Sequence, residues 1–332
     1  MATLAIEHLD VERLAAERTH KALIAAVQHG LIPQPRSLPP WLFYDAAGSK
    51  LFERITVLPE YYPTRTERAI FSGYADAIVA AAKDGSEKPL RVVELGAGTA
   101  SKTGILLDAV IRSQGRVTYV PVDVSETALQ EACQNLSQTL AEVSVEPVVG
   151  NYVTEPLLLA SHDGPTLAMY IGSSIGNFSP REARAILTKL REQMRAGDAL
   201  LLGTDMVKDK ATLVAAYDDE NGVTGAFNLN VLRRLNKELA ADFDLARFRH
   251  LARWNAEESR IEMHLESLTA QRVRIPAAKL MVPFESGETI HTESSYKFTE
   301  SSVKALVEDS GFVCEKTWMD ERGWFSVTLA RV

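Results

Sequence analysis

The stretch Arg91-Val-Val-Glu-Leu-Gly-Ala-Gly-Thr-Ala-Ser-Lys-Thr103 decides the reading of this chain. Residues 90–95, with Leu90, Val92, Val93 and Leu95 apolar, have the length of a buried strand. They enter Gly96 and Gly98, and the helical pattern KTGILLDAVIRS follows. A strand, a glycine turn and a helix start bring backbone N–H groups close to a nucleotide. Downstream the pattern repeats. Residues 118–122 form a second strand ending at Asp123, and Ser125 opens a helix with Leu129, Cys133, Leu136, Leu140 and Val143 on one face. Residues 145–149 form a third strand, leading into Gly150-Asn-Tyr152, and residues 167–171 a fourth, ending in GSSIGNF. Ser179-Pro-Arg-Glu182 is a capping box with proline at the first helical position, and residues 199–202 give a fifth strand. Strands alternating with helices predict an α/β, doubly wound, mostly parallel sheet.

Outside this region the rhythm differs. Helical patterns cover 10–32 and 65–83, with Pro33, Pro35, Pro39 and Pro40 between them. Residues 210–297 mix helical stretches with the alternating SRIEMHLES and QRVRI, which predict an antiparallel hairpin or small sheet. A helix near 300–310 and the β-like GFVCEKTWM and WFSVTLARV then complete the main sheet as an antiparallel pair. The N-terminal segment and the insertion make a second, α+β lobe.

The 332 residues, 46% hydrophobic, suffice for a large core in two lobes. A net charge of −8, with both signs interspersed, disfavours a nucleic-acid partner. Cys133 and Cys314 are far apart and in no ligand spacing, and the seven histidines show none either, so no metal is expected. The scarcity of cysteine suits a reducing compartment. The N-terminus lacks the basic start and apolar block of a signal peptide, and no apolar run spans a bilayer. A cytoplasmic, monomeric protein without membrane contact is expected.

Four details choose the nucleotide. Ser101 stands where a dinucleotide fingerprint has a third small residue. Glu94 ends its strand as an acid, which suits a ligand carrying a positive group; the plainer alternative is that Glu94 and Asp123 only cap loops. Asp123 lies beyond the ~20-residue interval of a dinucleotide ribose acid, a longer first helix being the alternative explanation. Asn151 and Tyr152 offer an amide and a ring to a base. S-adenosylmethionine, with a ribose, an adenine and an ammonium but no pyrophosphate, fits these parts.

The motifs WLFYDAAGSKLFERITVLPEYYPTRTE, ELGAGTASKT, GSSIGNF, YDDENGVTGAFNLNVLRRLN, RIEMHLES and GETIHTESSYKF carry a resemblance along nearly the whole chain. The sequence resembles the L-histidine Nα-methyltransferases of ergothioneine biosynthesis. The resemblance implies a Rossmann-like class I methyltransferase domain over 66–206 plus 298–332 and a substrate lobe over 10–65 plus 207–297. It implies transfer of three methyl groups from S-adenosylmethionine to the α-amine of histidine, giving hercynine. It places Gly96, Lys102 and Asp123 at the cofactor and Asn151 and Tyr152 around the adenine, beside Glu94 and Gly98, which the strand end and glycine turn already put there; relatives usually carry Asp where this chain has Asn151. It places Asn177 and Tyr217 at the amino-acid carboxylate, and Tyr61, Glu293 and Ser295 around the imidazole. Met263 packs on the ring, and Tyr44, Phe52, Thr224 and Gly172 complete the pocket. Tyr44 is the candidate proton acceptor or amine orienter. The plainer alternatives are a surface carboxylate for Glu293, which composition alone favours, a helix-approach turn residue for Asn177, set just before Ser179, and a packing residue at the lobe interface for Tyr44.

Overall fold

The computed structural model describes residues 2–98, 102–153, 155–157, 159 and 161–332, with side chains for all of these except 2–16, 127, 128 and 137. Ser101, on which the choice of nucleotide partly turned, lies outside the described residues. The chain divides into two compact units, Met1–Tyr61 with Asp209–Ser294 and Tyr62–Lys208 with Ser295–Val332.

The second unit holds the glycine turn. Its strands are β1 (Arg91–Leu95), β2 (Val117–Asp123), β3 (Val143–Val145), β4 (Val148–Val149), β5 (Thr166–Tyr170), β6 (Ala199–Asp205), β7 (Val313–Met319) and β8 (Phe325–Arg331). They lie in the order β7-β8-β6-β5-β1-β2-β3, with β4 also paired to β2. β1 to β6 run parallel, and β8 runs antiparallel to both β6 and β7. The chain winds outward from β1 to β3 and returns on the other side of β1 as β5. The switch point, where such sheets bind ligands, is therefore at the carboxyl ends of β1 and β5.

Both faces of the sheet are covered, which explains why its strands read as near-continuous apolar runs. Val92, Tyr119, Leu167, Met169 and Leu201 pack on one face with Ile70, Phe71 and Leu107. Val93, Val120, Ala168, Tyr170 and Leu202 pack on the other with Ile186, Leu187 and Val307. The expected capping box forms, with Ser179 and Glu182 exchanging bonds at the start of the helix Pro180–Glu192.

Two local expectations are corrected. The helix opened near Ser125 covers Glu126–Thr139, so Leu140 lies past its end and Val143 pairs with Val117 in β3. The strand expected over 145–149 is split into β3 and β4, because Pro147 has no N–H to donate to a ladder.

In the first unit, Phe248–Asn255 and Arg260–Ser267 form an antiparallel hairpin, while Gln271–Ile275 pairs with Leu280–Phe284. SRIEMHLES and QRVRI therefore belong to different hairpins, each pairing across a short turn with its own neighbour. Thr289–Tyr296 lies between Arg260–Ser267 and Arg36–Ser37 in a four-stranded sheet. The helix Val223–Leu239 buries Phe227, Val231 and Leu235. Asp219 accepts from Val223 N at 2.9 Å and Thr224 N at 2.7 Å, satisfying N–H groups that have no partner within the helix. Asp45 caps the helix Ala46–Thr56 through Gly48 N at 2.7 Å, and Asn230 donates to the same carboxylate at 2.8 Å.

Candidate functional site

At the end of β1 the backbone turns through Gly96 (φ 67°) and Gly98 (φ 51°), the left-handed region where glycine carries no steric cost. A Cβ on Gly96 would also meet the Tyr152 hydroxyl at 3.2 Å. Asp123, at the end of β2, accepts from Gly98 N at 3.2 Å and from Ser125 N at 2.9 Å, tying the turn to the next strand. Past β4, Asn151 Oδ1 accepts from Val153 N at 3.1 Å, leaving its second lone pair for another donor. The Tyr152 ring meets Tyr170 edge-on at 5.6 Å, and burial pushes both phenols up. An acid at one strand end, an amide and a ring at another, and a turn whose Gly96 and Gly98 carry no Cβ fit an adenosine.

Glu94 is buried, and its Oε2 accepts from Thr103 Oγ1 at 2.7 Å and from the Tyr119 hydroxyl. Burial pushes its carboxyl up to about 7, against the pull of these hydrogen bonds. The acid thus links β1 to β2 and to the helix Thr103–Gln114. Lys102 pairs with Glu67, a fully buried carboxylate that the sequence reading missed. The other oxygen of Glu67 accepts from Gly172 N at 2.8 Å, so one side chain spans the switch point from the glycine turn to the loop after β5. Its signal in the sequence is position: it lies one turn before Ile70 and Phe71, on the apolar face of the helix Tyr62–Lys83.

The GSSIGNF loop needs both its glycines. Gly172 has φ 77°, and a Cβ on Gly176 would stand 2.7 Å from the Tyr296 carbonyl oxygen. Asn177 ends the single turn Ser174–Asn177 and is half-buried. Ser295 Oγ accepts from Lys297 at 2.9 Å, and Lys297 pairs with buried Asp205 at 2.7 Å. Asp205 also binds the Tyr62 hydroxyl at 2.8 Å and Lys208 at 2.5 Å. Burial pulls the Lys208 ammonium down to about 8, opposed by Asp205. Isolated charges at 205, 208 and 297 gave the sequence reading no reason to group them.

In the first unit the expected pocket residues converge as rings. Tyr44 meets Phe52 at 5.9 Å, Phe52 meets Tyr61 at 6.3 Å, and Tyr61 meets Tyr217 at 6.3 Å, all edge-on. Phe227, unforeseen, lies 5.9 Å from both Tyr44 and Phe52 and stacks on Phe43 at 4.5 Å. Tyr44 is 43% exposed, whereas Thr224 is buried at the start of the helix that carries Phe227. Met263 lies buried in Arg260–Ser267. Glu293, read from composition as a surface group, is 7% exposed in Thr289–Tyr296.

Among the described residues no cluster of three or more His, Cys, Asp or Glu could hold a metal, and no helix is long and apolar enough to cross a membrane.

A doubly wound sheet with its last strand antiparallel, and with an adenosine-compatible turn at the switch point, is a Rossmann-like methyltransferase fold. Residues 23–332 match the histidine-specific, S-adenosylmethionine-dependent methyltransferases, and the chain belongs to that family. It is 44% identical to a histidine N-alpha-methyltransferase of Mycolicibacterium smegmatis, over 96% of this chain and 97% of that one. An ergothioneine biosynthesis protein 1 of Neurospora crassa is 28% identical over 98% of this chain and 36% of its own length. An L-tryptophan methyltransferase of Psilocybe serbica is 26% identical over 94% of this chain and 92% of its own.

Proposed function

We propose that this protein transfers three methyl groups from S-adenosylmethionine to the α-amine of free L-histidine, giving hercynine for ergothioneine biosynthesis, as a cytoplasmic monomer. The observation that carries this beyond family membership is the ring cluster Tyr44–Phe52–Tyr61–Tyr217. Each methylation removes an N–H from the amine, and the last leaves a permanent cation. A site built on strong hydrogen bonds to the amine would stall after the first transfer. Aromatic faces hold a methylated cation without needing N–H groups.

When bound, S-adenosylmethionine supplies a methyl group on a positive sulfur, and displacement by a nitrogen lone pair needs no covalent enzyme intermediate. The task of the protein is therefore alignment. Asp123, Asn151, Tyr152 and the Gly96–Gly98 turn hold the adenosine, and Lys102, fixed by Glu67, stands beside the loop after β5. Asn177 and Tyr217 hold the carboxylate of histidine. Glu293 and Ser295 bond to its imidazole, and Met263 packs on it. Tyr44 orients the amine or, as its phenolate, accepts the proton that the amine must lose, a proton that solvent could also take. A site built to accept a ring N–H rejects analogues lacking it, because its own polar group is stranded.

The deciding experiment incubates the protein with S-adenosylmethionine and each proteinogenic amino acid in turn. Mass spectrometry should find a gain of three methyls on histidine alone; a gain on another amino acid instead would overturn the assignment. Phe52→Ala should slow the second and third transfers more than the first, and equal slowing of all three would remove the ring from the cation site.

A further inference from the structure

Tyr217, Met263 and Glu293 sit on three separate segments of the Met1–Tyr61/Asp209–Ser294 unit, and a buried string of polar groups joins those segments. The His250 ring nitrogen Nε2 lies 2.7 Å from the Tyr217 carbonyl oxygen and so donates to it. Its Nδ1 is then an acceptor, 2.8 Å from Asn228 Nδ2. The same amide nitrogen donates to the His264 carbonyl at 3.0 Å, next to Met263. Asn228 Oδ1 accepts from Thr292 Oγ1 at 2.8 Å, and that hydroxyl also lies 3.0 Å from the Met263 carbonyl oxygen. Thr292 directly precedes Glu293 in the chain.

Asn228 is fully buried and Thr292 is 1% exposed. Both hydrogens and the oxygen of the Asn228 amide are used. An apolar side chain of similar volume would fill the space without the cost of burying an amide, so packing alone does not account for it. The three bonds instead fix the relative register of the loop carrying Tyr217, the strand carrying Met263 and the strand carrying Glu293. A polar network satisfied at every member specifies one arrangement.

We propose that Asn228, with His250 and Thr292, is a positioning group that sets recognition of the amino acid, through the placement of Tyr217, Met263 and Glu293. This rests on the histidine reading above. None of the three touches the reacting atoms, so the readout must separate positioning from general folding.

Thr292→Val removes the hydroxyl at nearly constant shape. KM for histidine should rise about tenfold, the scale of one lost buried hydrogen bond. KM for S-adenosylmethionine should stay within about twofold, and Thr292→Ser should recover most of the loss. His250→Phe, which breaks the bond to Tyr217, is the second variant, used if Thr292→Val does not fold, and should raise KM for histidine likewise. A folded variant with unchanged KM for histidine, or with both KM values raised together, would overturn the proposal. If the wild-type protein methylates a different amino acid, the histidine reading fails. The positioning claim is then judged by whether Thr292→Val raises KM for that substrate, and an unmoved value refutes it.

Discussion

In the unit that carries the glycine turn, the residues assigned to the methyl donor stand at the carboxyl ends of parallel strands: Glu94 next to last in β1 with Gly96 just past it, Asp123 ending β2, and Asn151 just past β4. In the other unit, residues assigned to the amino acid come from positions 44, 52, 61, 217, 224, 263 and 293, scattered along the chain, and the rings of Tyr44, Phe52, Tyr61 and Tyr217 meet as side chains. The first arrangement follows from topology, since every parallel strand delivers its end to the same edge. The second follows from packing, with a cluster of rings and a buried amide network in place of a shared edge. Damage should therefore spread differently in the two units.

The largest expected effect tests the ring cluster. Phe227 is 2% exposed and stacked on Phe43, so Phe227→Ala should cost about 3–5 kcal/mol of stability. Urea denaturation would register it, and calorimetry on the folded fraction should show histidine affinity lost while S-adenosylhomocysteine still binds. Parallel loss of both ligands would erase the contrast.

Next comes Glu94. Its folded carboxyl, raised from 4.5 to about 7, holds its proton more tightly than the unfolded chain does. The stability this contributes is full below pH 4.5 and is lost as pH rises towards 7. The loss is about 3 kcal/mol. Denaturation between pH 5 and pH 8 should show declining stability with rising pH, and Glu94→Gln should flatten that slope. A slope unaltered by the substitution would place the titration elsewhere.

Glu293→Ala should weaken histidine binding by roughly 1–3 kcal/mol and relax selectivity for the ring, with the S-adenosylhomocysteine titration unchanged. The smallest effect is expected at Asn151, whose oxygen already serves Val153. Asn151→Asp should tighten S-adenosylhomocysteine binding by about threefold, because charge-assisted bonds are stronger than neutral ones. Weaker binding would remove residue 151 from the adenine.

The sequence exposes the donor unit well because its signals are local. Strand, glycine turn and helix are contiguous, and an acid at a strand end can be counted from the turn. Helix ends are less visible: Leu140 and Val143 keep the helical period after Thr139, but Leu140 lies past the helix end and Val143 pairs with Val117 of β2. The amino-acid residues become readable through family likeness, since Tyr44 and Glu293 share no local pattern. Glu67, Phe227, Asn228 and the Asp205–Lys208–Lys297 group escaped because their meaning is tertiary. A buried acid or amide looks ordinary until its partners, distant in sequence, are in place.

The pairing of Arg36 with Ile290 and Ser37 with His291 brings together segments flanking a whole inserted unit. Closing so long a loop costs entropy before any contact rewards it, and such contacts form late. The parallel strands of the insert are joined by much shorter crossovers. Refolding from denaturant should therefore restore the capacity to bind S-adenosylhomocysteine before the capacity to bind histidine, so that the protein acquires its two ligands in a fixed temporal order.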